Sequence, residues 1–183
     1  TPDNAEEILE INHSIISNNH NTLNDLKDDA GIWLDGVGHI QNTIIAYNIA
    51  NNAERNCGND VSATSGYNME TSNTCGFNTT TDKTNTDPGF IPNSTTISSG
   101  SVAKDTGTCT DVNSTAITSD YRGMARPQGI TCDIGAYELD QTAPVVTVTG
   151  SSTITIPQGT AYTDAGATAV DNFDSTVTVA TTN

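Results

Sequence analysis

The sequence is poor in cations: six residues are Lys or Arg against 22 Asp or Glu, which gives a formal net charge of −16. Binding to nucleic acid requires a basic surface, so this composition argues against a nucleic-acid partner, and it argues equally against an anionic membrane surface. The excess of carboxylates is open to three roles, which are solubility, divalent cations and basic partners.

Long apolar runs are also lacking, so no direct insertion into a membrane is expected. Aromatic residues make up only 5% of the chain, while Thr, Ser, Asn and Gly are abundant. This composition is typical of short strands and tight turns. The chain begins at Thr1 in the middle of a pattern, and we therefore expect a processed or partial piece of a longer exported protein.

The four cysteines lack the Cys-x-x-Cys spacing of zinc sites and redox motifs. In an acidic chain rich in Thr and Asn they indicate disulfides and an oxidising compartment. Four cysteines allow three pairings, and their spacing alone does not choose among them.

An internal repeat is present near the start of the chain. Residues 11–19 (INHSIISNN) align with residues 40–48 (IQNTIIAYN) at an offset of 29 residues. The alternation before each Ile pair predicts a strand, and the repeat predicts that the two strands stack as neighbours. Asn19 and Asn48 would then share side-chain hydrogen bonds, although two unrelated amphipathic strands are an alternative.

Two of the three arginines, Arg122 and Arg126, lie four residues apart near the acidic residues Asp133 and Glu138. Because a guanidinium group can hold carboxylates through paired donors, we predict a buried cluster of ion pairs. The stretch 120–138 (DYRGMARPQGITCDIGAYE) resembles the closing motif of bacterial secreted β-helix proteins of the choice-of-anchor Q type. The resemblance implies that residues 1–139 form the last turns and the closing region of a right-handed parallel β-helix.

The resemblance extends to the cysteines. Asn-Cys at 56–57 and Cys-Gly-Phe at 75–77, followed by Asp-Pro at 87–88, are similar to the pattern that precedes the closing motif in that family. It implies two bridges, Cys57–Cys75 and Cys109–Cys132.

The composition changes after Glu138. The segments 145–150 (VVTVTG) and 152–157 (STITIP) alternate with a period of two, and 176–180 (TVTVA) does so again at the end of the chain. This pattern predicts sandwich strands. Residues 140–183 resemble the start of a bacterial immunoglobulin-like surface module in the motifs TAP, Tyr-x-Asp-x-Gly-Ala and Asp-Asn-x-Asp. The fold class expected for the whole chain is therefore all-β, a parallel β-helix followed by an incomplete immunoglobulin-like β-sandwich.

No catalytic residue is predicted. The acidic residues Asp28, Asp29 and Asp35 beside Lys27 are the acidic cluster nearest to a repeat, and a solvated loop explains them. The histidines show no metal-ligand spacing, and the only tryptophan, Trp33, is expected in the core or as a cap rather than as a sugar-stacking surface.

Calcium is the cofactor to consider. Asp140, Asp164, Asp171 and Asp174, together with Asn172, supply the oxygen ligands that Ca²⁺ prefers. No contiguous calcium loop is present, and capping of turns by Asp and Asn is the alternative.

Together these features favour a non-enzymatic structural or adhesive protein that is secreted or displayed on the bacterial cell surface. Its expected partners are other surface-protein chains, neighbouring subunits and polysaccharide. The alternative is the non-catalytic C-terminal part of a polysaccharide lyase or glycoside hydrolase built on a β-helix.

About four strands are identified after residue 144, whereas an immunoglobulin-like sandwich has about seven. We expect the remaining strands to follow Asn183 in the native chain rather than to come from a neighbouring subunit. Mass spectrometry of the native protein should then give a mass well above 19.1 kDa. A matching mass together with a stable monomer would contradict both versions.

Overall fold

A computed structural model describes residues 8–21, 31–33, 37–58 and 63–180, and these residues form an all-β structure without a helix among them. In the described part of the chain no helix is long and apolar enough to cross a membrane. The chain divides into two compact units, Thr1–Leu139 and Asp140–Asn183.

Eleven short strands occur among the described residues, nine in the first unit and two in the second. They are β1 (Ile8–Asn12), β2 (Ile15–Ser17), β3 (His20–Asn21), β4 (Val37–Gln41), β5 (Ile44–Ala46), β6 (Ile49–Ala50), β7 (Ala53–Glu54), β8 (Ala63–Gly66), β9 (Met69–Glu70), β10 (Val145–Val148) and β11 (Ala167–Val170).

The strands of the first unit form three narrow sheets, in which β1, β4 and β8 are parallel and β2, β5 and β9 are parallel. In the third sheet β3 is parallel to β6, and β7 turns back antiparallel to β6. Ile15 lies opposite Ile44 and Ile16 opposite Ile45. The predicted parallel stacking of the two Ile segments is therefore confirmed.

The turns between successive strands repeat as well. His13 and Asn42 occupy the turn after the first strand of each repeat with φ of 45° and 51°, and Asn18 and Tyr47 occupy the next turn, both with φ of 57°. Positive φ is uncommon outside glycine but is several-fold enriched for Asn and His. The backbone therefore takes the same path twice, at positions 29 residues apart.

Side-chain amides connect the repeats at the second turn. Asn19 Nδ2 donates to Asn48 Oδ1 at 2.9 Å, as the sequence predicted, and Asn48 Nδ2 donates to Asn56 Oδ1 at 3.0 Å. Asn48 and Asn56 are both fully buried. Since a buried amide without partners would be costly, this row of hydrogen bonds fixes the register of the turns.

Ile44 and Ile45 belong to two different apolar clusters, because consecutive side chains of a strand point to opposite faces. Ile45 packs with the cluster Ile32, Ile40, Cys57, Cys75 and Phe77. Ile44 packs with the cluster Ala46, Met69, Ile97, Ala103 and Ile134. The second cluster includes residues from the region after β9, so that region covers the outer face of the β2–β5–β9 sheet.

Gly135 makes the closest approach to this face. A Cβ atom at Gly135 would lie 2.9 Å from Ile44 Cδ1 and 3.2 Å from Ile15 Cγ1, and the residue has a φ of +105°. Its N–H donates to the carbonyl oxygen of Asn42 at 3.0 Å. Only glycine combines this backbone conformation with such a close contact.

Two disulfides staple the first unit. They join Cys57 to Cys75 and Cys109 to Cys132, the pairs that the resemblance implied, over sequence separations of 18 and 23 residues. Loops of this length are stabilised by about 3 kcal/mol through the entropy of the unfolded chain. The bridges indicate an oxidising, extracellular setting.

Three expectations need correction or fall outside the description. Ile15 and Ile16 are only half-buried, because they belong to the first described repeat and are covered less completely than Ile44 and Ile45. Trp33 is 42% exposed and lies outside the two core clusters, so it is not a core residue. The excursion predicted after Asn21 lies in 22–30, outside the described residues.

The second unit contains one antiparallel ribbon, in which β10 pairs with β11. The strands predicted at 152–157 and 176–180 are absent from its described residues. Ile154 and Ile156 are 48% and 43% exposed. Alternation of apolar and polar residues yields a strand only where a partner strand and a covering layer are available, and a two-stranded ribbon supplies neither in full.

Candidate functional site

The guanidinium group of Arg126 lies at the centre of the most completely buried polar cluster of the first unit, and its side chain is 0% exposed. Nη2 donates to the Gly135 carbonyl oxygen at 2.7 Å, and Nη1 donates to the Asp133 carbonyl oxygen at 3.3 Å. Nε lies 3.5 Å from Glu138 Oε2, so the single ion pair of this group is loose. Backbone carbonyls thus provide as much of the coordination as the carboxylate does.

Glu138 and Asp133 are held by backbone N–H groups rather than by the arginine alone. The Glu138 carboxylate accepts from the N–H groups of Gln128 and Asp133, both at 3.1 Å. The Asp133 carboxylate accepts from Asp105 N at 2.7 Å and Leu139 N at 2.6 Å. Burial raises the pKa of both carboxyl groups, and these hydrogen bonds oppose the rise.

Arg122 forms a second, shallower pair. Its Nε and Nη2 donate to Asp120 Oδ2 at 3.0 and 2.9 Å, and its Cζ lies 5.0 Å from the ring centre of Tyr137. The Arg122 side chain remains 27% exposed, whereas that of Asp120 is 0% exposed. The prediction that both arginines are substantially buried is therefore correct for Arg126 and wrong for Arg122, whose side chain reaches Asp120 from the surface.

Asp120 was missed as a member of the cluster, although it begins the motif. Its carboxylate also accepts from the backbone N–H groups of Arg122, Met124 and Glu138 at 2.7, 2.9 and 2.9 Å. Burial alone would raise the pKa of Asp120, but these bonds and the Arg122 side chain bring it below its usual range. The signal in the sequence is the short Asp-x-Arg spacing, which lets one carboxylate close a turn around itself.

His13 connects this cluster to the first repeat. Its Nδ1 lies 2.7 Å from Arg126 Nη1 and 3.0 Å from Asn42 Nδ2, and its Nε2 lies 3.0 Å from the Thr110 carbonyl oxygen. The guanidinium group can only donate, so Nδ1 accepts and the proton is on Nε2. His13 is therefore neutral in this arrangement.

The pKa of His13 is lowered from 6.5, first by burial and then by the positive charge of Arg126. The hydrogen bond to Thr110 and the carboxylate of Asp111 act in the opposite direction. Since both ring nitrogens are engaged, His13 can act as a base only by giving up a contact that holds the cluster together. The cluster has the properties of a structural closure.

Two open cavities lie on the first unit and adjoin at Thr95, which lines both. The first has a volume of about 740 Å³ and is lined in part by Tyr47 and Phe90. The second has a volume of about 490 Å³ and is lined in part by Tyr121 and Tyr137. They are the candidate ligand site of this unit.

The four aspartates predicted to bind calcium do not form a metal site. Among the described residues no group of three or more His, Cys, Asp or Glu is placed to hold a metal ion. Asp140, Asp164 and Asp171 each accept hydrogen bonds from backbone N–H groups two or three residues ahead, while Asp174 donates its own N–H to Asp171. Local turn capping, the alternative considered from the sequence, accounts for three of the four carboxylates.

The acidic cluster considered for catalysis, Asp28 and Asp29 with Asp35, lies outside the described residues together with Lys27. A buried carboxylate that sequence reasoning did not single out is Glu70 on β9, which is fully buried. It accepts from the N–H groups of Thr74 and Cys75 at 3.0 and 3.3 Å and so supports the loop of the first disulfide.

Comparisons with protein-family models, with curated proteins and with solved structures find no match to the chain. The two resemblances described above therefore rest on their motifs alone.

Replacing Arg126 by Ala should lower the free energy of unfolding by about 3 kcal/mol, because the buried carboxylate of Glu138 would lose its countercharge. The matched variant Arg122→Ala should cost about 1 kcal/mol, since Asp120 keeps three backbone donors. Denaturant unfolding of the two variants checks this. Equal losses would show that the buried cluster is not centred on Arg126.

The contribution of His13 to stability should depend on pH. Because the pKa of His13 is lower in the folded state than its unfolded value near 6.5, the unfolded chain binds the extra proton first. The contribution is therefore complete above pH 6.5 and is lost as the pH falls below it. Unfolding at a series of pH values should show the wild type losing stability relative to His13→Asn, a residue that also tolerates the positive φ. A constant difference between the two proteins would contradict a neutral His13.

Proposed function

We propose that the chain is a non-enzymatic structural or adhesive protein of the bacterial cell surface. In this proposal residues 1–139 are the terminal turns and closing region of a right-handed parallel β-helix of the choice-of-anchor Q type. Residues 140–183 are part of an immunoglobulin-like module. Secretion, adhesion and the partners named above belong to the same proposal.

The observation that carries the proposal is the internal use of the polar groups in the closing motif. Arg126 connects a turn of the first repeat, through His13, to the carbonyls of Asp133 and Gly135 and to the carboxylate of Glu138. All of these contacts are made within the first unit, at a group with no exposed surface. A cluster of this kind stabilises the end of a stack of turns.

The parallel register at a constant 29 residues and the two disulfides support the same proposal. Stacked repeats bury their apolar faces only against neighbours, so the end of a stack requires a cover. Ile97, Ala103 and Ile134 provide one over the sheet that contains Ile44. Disulfides then stabilise loops in an oxidising medium, where surface proteins work.

The proposal is tested on cells that produce the protein and on the purified protein. An antibody against residues 1–139 should label intact cells, and the four cysteines should be resistant to alkylation without prior reduction. Incubation with neutral and uronate-containing polysaccharides should release no new reducing ends and no unsaturated product. Labelling only after lysis, with free thiols, would contradict the surface location, and released product would favour the polysaccharide-degrading alternative.

A further inference from the structure

The two adjoining cavities form a continuous groove on the first unit, with Thr95 between them. Asn18 lines the first cavity and Ser14 the second, so the groove follows the turns of the first repeat. Each cavity falls in the size range of ligand sites in proteins. A groove of two such compartments suits an extended ligand with repeating units.

Each compartment contains a pair of aromatic rings in an edge-to-face arrangement. The ring centres of Tyr47 and Phe90 are 6.2 Å apart, and those of Tyr121 and Tyr137 are 6.1 Å apart. Tyr121 is 83% exposed, so the face of its ring is accessible to a ligand. Tyr137 has its ring covered by Arg122, which holds the pair in place.

The rest of the lining is rich in hydroxyl and amide groups. Asn18, Asn93 and Ser119 are exposed there and can donate and accept hydrogen bonds. Apolar ring faces next to such groups match a sugar ring, which has C–H bonds on its faces and hydroxyls at its edge.

The charges in the groove select among sugars. Among the described lining residues the only permanent cation is Arg126, and its side chain is fully buried and directed at carbonyls. Asp87 is exposed in the first compartment, where it accepts from Tyr47 Oη at 2.6 Å. A uronate or sulfated chain would meet this carboxylate without a countercharge in reach, in a protein with a net charge of −16.

We infer that the groove binds an uncharged polysaccharide, with one sugar ring stacked on Tyr121 and the chain extending past Thr95 toward Tyr47. This inference deepens the proposed adhesive function, on which it rests, and names the chemical class of the ligand. It places recognition in shallow subsites along the turns, so affinity should increase with the length of the ligand.

The test is calorimetric titration of the full chain with uncharged hexasaccharides of glucose, N-acetylglucosamine, mannose and galactose, and with hexagalacturonate as the anionic counterpart. At least one uncharged hexasaccharide should bind, more tightly than its own trisaccharide and more tightly than hexagalacturonate. Tyr121→Ala should weaken that binding about tenfold, because it removes the exposed stacking surface.

Tyr162→Ala is the matched control, since Tyr162 is a 52% exposed tyrosine of the second unit. It should leave the affinity unchanged, and the circular dichroism spectra of both variants should match that of the wild type. Absence of binding at millimolar concentration, preference for hexagalacturonate, or an equal loss in both variants would overturn the inference. Surface labelling without released product would in that case leave the proposed structural function intact, so the two failures are distinguishable.

Discussion

The contact between Arg126 and the turn at His13 is the interaction on which the closing region depends. A guanidinium group without solvent access is expensive to bury, and here its charge faces one carboxylate at 3.5 Å, two carbonyls and a neutral imidazole. The arrangement tolerates no second conformation, because each donor that moves leaves an acceptor unpaired. Its role is to specify one geometry for the chain after β9, in a region with almost no regular strand to do so.

This geometry explains why the repeat contains two consecutive isoleucines. In a sheet that faced water on one side, one of the two positions would be polar. Ile44 and Ile45 are both fully buried, because the inner face packs on the cluster around Ile40 and the outer face lies under Ile97 and Ile134. The apolar doublet therefore marks the segment of the repeat that the closing region covers, and Gly135 lets the backbone approach it closely.

Local patterns predicted local features well. The 29-residue repeat predicted the parallel pairing of the Ile segments and the Asn19–Asn48 contact, and the resemblance implied both disulfides. The sequence did not predict the part played by His13, since its partner lies 113 residues away and leaves no periodic signal. It also overestimated the aspartates of the second unit as metal ligands, because a carboxylate that caps its own turn has the same sequence pattern as one that awaits a cation.

Long sequence separation has a consequence for how the protein reaches this state. The Asn12 side chain accepts from the N–H of Val112, 100 residues away, so the earliest strand is completed by one of the latest segments. Contacts this distant along the chain make folding slow, because loop-closure entropy is lost before the contacts form. A chain threaded through a secretion pore from its first residue would thus stay translocation-competent until Arg126 emerged. The closing motif would then act as a timer that delays compaction until export is nearly complete.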